Sequence, residues 1–152
     1  MKNLLKELNA CEDAREWAAD KTWKEVYETC HRGDWLLWLF KKTNPDDLQL
    51  LTLAKGHCAN TVRHLMKDER IINAVDSAIA FGLGEITKDE LATAAADATA
   101  AWSDAAAYAA TAAWSAAWSA ATAATAAAAK KENQQQTADI VRKCISIEKF
   151  NI

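Results

Sequence analysis

The chain has 152 residues, a length that fits one ordinary domain and is enough to bury a hydrophobic core without cross-links. Its 18 basic and 21 acidic residues give a formal charge of −3. That balance makes nucleic acid a poor default partner, and a basic protein partner is permitted but not demanded. The N-terminal residues lack the apolar run of a signal peptide, and no stretch resembles a membrane span, so the reading is a cytoplasmic protein without membrane association. Cys11, Cys30, Cys58 and Cys144 include no CxxC spacing, and free, mostly buried thiols are expected.

Helix signals follow one another along the chain, and strand signals are nearly absent. A first helix spans Leu4 to about Asn9 and a second Glu12 to Ala19. Thr22 and Glu25 form a capping-box pattern for a helix from Trp23 to His31 that stops at Gly33. Asp34 is read as the N-cap of the next helix, whose run Trp35-Leu36-Leu37-Trp38-Leu39-Phe40 has no polar face and belongs in the core. Pro45, Asp46 and Asp47 open a helix to about Met66, with an apolar stripe of Leu50, Leu51, Leu53, Ala54, Cys58, Val62 and Leu65. Gly56 within it suggests close packing or a break. Asp68 caps a helix that ends at Gly82, and Thr87 to Glu90 form a second capping box.

The tract from Ala92 to Ala129 contains 24 alanines in 38 positions, the strongest intrinsic helix former, and no Gly or Pro. A straight helix from Lys88 to Ala129 would be about 63 Å long. That exceeds the roughly 40 Å width of a compact domain of this size. The tract therefore overhangs the body or bends, with a break expected near Ser103 and Asp104. On a helical projection, Ala95, Ala98, Ala106, Ala109, Ala113 and further alanines form one packing face with Trp102 among them. Trp114 and Trp118 share a second stripe with Thr111, Thr122 and Thr125. Lys130 to Gln136 read as a polar linker, and Thr137 as the cap of a last helix from Ala138 to Ile145. The expected fold is all-α, an irregular bundle or array of about seven helices in a single domain.

Chemistry-bearing motifs are scarce. Cys30, His31, His57 and Cys58 could hold a metal only if folding brought them together, so no metal or other cofactor is expected. There is no GxSxG, no phosphate loop and no acid pair in apolar surroundings, and the chain is read as a non-enzyme. Glu12 and Asp13 near Trp17 are explained by helix capping and solvation. The densest segment is Cys30-His31-Arg32-Gly33-Asp34-Trp35-Leu36-Leu37-Trp38. Arg32, Asp34 and Trp35, or Trp114 and Trp118, are the candidate partner-binding anchors.

Glu16-Trp17-Ala18, the run from Arg32 to Leu39, the Ala/Trp tract and Ala138-Asp139-Ile140-Val141-Arg142-Lys143 together resemble the bacterial and phage immunity proteins of the Imm5-like group. The resemblance covers roughly Cys11 to Ile145, and the Arg32 to Leu39 run is its most specific part. It implies a non-catalytic protein-binding module that neutralises a toxin or other effector by covering it. Two alternatives stand beside it: a phage-borne protein that blocks a host defence protein or sequesters a small molecule in an aromatic pocket, and a structural protein that self-associates through the Ala-rich helix.

Overall fold

A computed structural model describes the backbone of residues 1–109 and 119–152 and the side chains of residues 1–100 and 128–152. Among the described residues there are eight α-helices and no strand: α1 (Lys2–Glu7), α2 (Glu12–Trp17), α3 (Trp23–Thr29), α4 (Gly33–Thr43), α5 (Leu48–Asn60), α6 (Glu69–Leu83), α7 (Lys88–Ala109) and α8 (Ser119–Cys144). The fold is all-α, an irregular array built around α4, α5 and α8. α4 and α5 both lie against α8, α6 packs on α5, and α7 packs on α6.

Local chemistry accounts for four of the helix starts, those of α3, α5, α6 and α7. At α3 the Thr22 hydroxyl accepts from the Glu25 amide while the Glu25 carboxylate accepts from the Thr22 amide, satisfying donors that a helix N-terminus leaves unpaired. The same reciprocal pair forms between Thr87 and Glu90 at α7. Asp68 caps α6 by accepting from the Arg70 amide, and Asp47 caps α5 by accepting from the Leu50 amide. Pro45 thus lies in the turn before α5 and does not open it. α6 ends on Gly84, not Gly82, in the left-handed conformation with φ 78° that glycine adopts without penalty.

The core joins Leu36, Leu39 and Phe40 of α4 to Leu51 and Ala54 of α5 and to Ala138, Val141 and Ile145 at the end of α8. Val26 of α3 closes one side. Phe150, beyond α8, folds back to meet Phe40, Trp23 and Tyr27 with ring centroids 5.2, 4.9 and 5.9 Å away. The apolar run in α4 is not uniformly buried: Trp35, Leu37 and Trp38 are only partly covered. A helix of that length cannot turn all its faces to neighbours when α5 and α8 occupy one side.

Several sequence expectations fail for identifiable reasons. α5 stops at Asn60, followed by a short 3-10 turn Arg63–Leu65, and Leu65 is exposed. The Thr61 hydroxyl donates back to the Cys58 carbonyl at 2.8 Å and accepts from Asn133 of α8, contacts that compete with the helical ladder. Residues Lys130 to Gln136 are not a linker: they continue α8 without interruption, since Lys, Glu and Gln are good helix formers. Thr137 is accordingly an interior residue whose hydroxyl donates to the Gln134 carbonyl, and the last helix does not begin there. α7 runs through Ser103 and Asp104 to Ala109, so no break occurs at that pair. Among the described side chains of α7, Ala94 is buried whereas Ala95 is exposed, with Leu91 and Ala98 partly covered. The candidate anchors Trp114 and Trp118, and Ala113 with its neighbours, lie outside the described residues. Among the described residues no helix is long and apolar enough to cross a membrane.

Candidate functional site

The segment between α3 and α4 is held from below by α8. Helix α3 ends with carbonyls that have no partner within the helix. Arg142 of α8 donates through Nε to the Tyr27 carbonyl at 2.6 Å and through Nη2 to the Cys30 carbonyl, while Nη1 pairs with Asp139 at 2.8 Å. Tyr27 returns the contact, its hydroxyl donating to the Ile145 carbonyl at 3.0 Å with the Arg142 carbonyl at 3.2 Å. Cys30 and Arg32 are extended, and the Cys30 thiol donates to the Arg32 carbonyl at 3.4 Å. Burial pushes the Cys30 thiol up, and the side chain packs in the core.

Gly33 is the first residue of α4, and Asp34 is not the N-cap; Arg32 holds that position without a side-chain cap. The reason is steric. A Cβ on Gly33 would lie 2.6 Å from the Thr137 carbonyl carbon, so glycine lets α4 press its start onto α8. Asp34, freed from capping, accepts two bonds from Arg32, from Nε at 2.8 Å and from Nη2 at 2.6 Å. Those hydrogen bonds, with the guanidinium charge behind them, hold the Asp34 carboxyl below the usual carboxylate range. The Arg32 guanidinium also lies 4.7 Å from the Trp35 ring centroid, a cation–π arrangement.

Around this pair the aromatic rings form a small triangle. Trp17, at the end of α2, lies 6.0 Å from His31 and 6.1 Å from Trp35, and His31 lies 6.3 Å from Trp35. Lys21 lies over the Trp17 ring, 4.5 Å from its centroid, and donates to the Trp17 carbonyl. The structure therefore brings together the predicted residues Arg32, Asp34 and Trp35. It adds Trp17, His31 and Lys21, and it places Arg142 as the brace beneath them. Trp17 stood in the sequence beside its Glu16 and Ala18 neighbours, but nothing in the spacing paired it with Trp35. Arg142 carries no local signal of its role as a brace, because the two carbonyls it holds at the end of α3 lie more than a hundred residues earlier.

Beneath the aromatic group a cavity of about 400 Å³ opens between α2, α3 and α4. Its walls include Leu5, Ala10, Ala14, Ala18, Val26, Leu36 and Leu39, with Cys11, Trp17, Trp35, Arg32 and Asp34 also lining it. On the far side of His31, a more polar concavity of about 730 Å³ runs along α8 past Lys131, Gln135, Asp139 and Lys143. Cys30 and His31 belong to the α3–α4 junction, whereas His57 and Cys58 lie on α5. Among the described residues no three His, Cys, Asp or Glu side chains are grouped as metal ligands would be. Burial between α5 and α8 pushes the Cys58 thiol up to about 11.

No family model, curated protein or solved structure matches the chain.

Proposed function

We propose that the chain is a non-catalytic protein-binding domain that neutralises a toxin or other effector by direct contact, as its resemblance to immunity proteins implies. Arg32, Asp34 and Trp35 form the contact face, with Trp114 and Trp118 as a second pair of anchors. The observation that carries this reading is the bracing of Arg32. Its guanidinium is fixed by a bidentate carboxylate and an indole face on a helix start that Gly33 seats on α8, beside the end of α3 that Arg142 holds. Arginine and tryptophan on a rigid, partly exposed element lose little conformational freedom on binding, which is what a binding hot spot needs. The polar concavity beyond His31 extends this surface towards the width of a protein contact. The reading is tested by capturing partners from the native host on immobilised wild-type chain and on an Arg32→Ala/Asp34→Ala variant. A stoichiometric partner retained by the first and lost by the second is expected; a partner retained equally by both contradicts the assigned face.

The cavity favours a second reading, sequestration of a small molecule. Its size lies within the roughly 300–1,000 Å³ usual for ligand sites, and its walls are apolar with one polar pair at the rim.

A further inference from the structure

We draw no further inference here: the strongest candidate, the groove between α1 and α2 in which Arg15 lies beside Lys2 and Lys6 with its Nε buried and without a hydrogen-bond partner, carries nothing because Glu12 and Glu16 line it too and that nitrogen is closed to any ligand the groove could take.

Discussion

Three nitrogen atoms of Arg142 reach three acceptors, and two of these are carbonyls at the end of α3. Removing the guanidinium leaves those carbonyls partly buried and unpaired. Arg142→Met, which keeps much of the aliphatic stem, is therefore expected to cost about 2–3 kcal/mol in urea denaturation. Lys143→Ala, at an exposed neighbouring position, should change stability by less than about 0.5 kcal/mol. Equal effects would show that the clamp does not hold α3. Asp34 gives a pH prediction. Its folded-state carboxyl titrates below the unfolded value of about 3.9, so its contribution is present above that pH and is lost as pH falls through the folded value. Asp34→Asn should accordingly flatten the acid limb of the stability curve below about pH 4. The effect is small, because the carboxylate is 59% exposed and solvent screens it. Superimposable acid limbs would contradict the assignment. In α4, Phe40 is fully buried whereas Trp38 keeps part of its ring in solvent near Lys42. Phe40→Ala should cost about 3–5 kcal/mol and Trp38→Ala distinctly less, in the same urea experiment. The reverse order would mean that the core is centred elsewhere.

At the scale of elements, the contact between α5 and α6 is set by glycine. A Cβ on Gly82 would lie 2.7 Å from the Cα of Leu53, which is backbone and cannot step aside. In an open helix interior, Gly→Ala gains about 1 kcal/mol. Here Gly82→Ala should instead lose about 1–3 kcal/mol, read as a fall in thermal midpoint. A rise would show that the two helices do not approach as described. The sequence made much of this layer legible. Thr22 with Glu25 and Thr87 with Glu90 are local signatures, and local hydrogen bonds realise both. What it hid was long-range. Gly33 read as a stop because glycine often ends helices, yet its contact with Thr137 makes it a start. Lys130 to Gln136 read as a linker because they are polar, yet Asn133 ties α8 to Thr61 and the segment is an exposed helical face. The candidate site was legible as a segment, Arg32 to Trp35. Its partners Trp17 and Arg142 come from elements that only tertiary packing brings near.

For the whole molecule, the α3–α4 junction unites the features that set it apart. Arg142 and Gly33 fix it to α8, Arg32 and Asp34 neutralise one another on its surface, and Trp17, His31 and Trp35 surround them. Arg32 and Asp34 at the centre of this face are already engaged with each other. We propose above that this face binds a protein partner. It is tested most directly by titration calorimetry of the partner captured from the native host against the wild-type chain and Arg32→Ala/Asp34→Ala, with the urea midpoints of both chains in hand. One-to-one binding by the wild type is expected, with a loss of about 2 kcal/mol or more in the variant, the scale of a hot-spot truncation, at little change in fold stability. Equal affinities for two equally stable chains would contradict it.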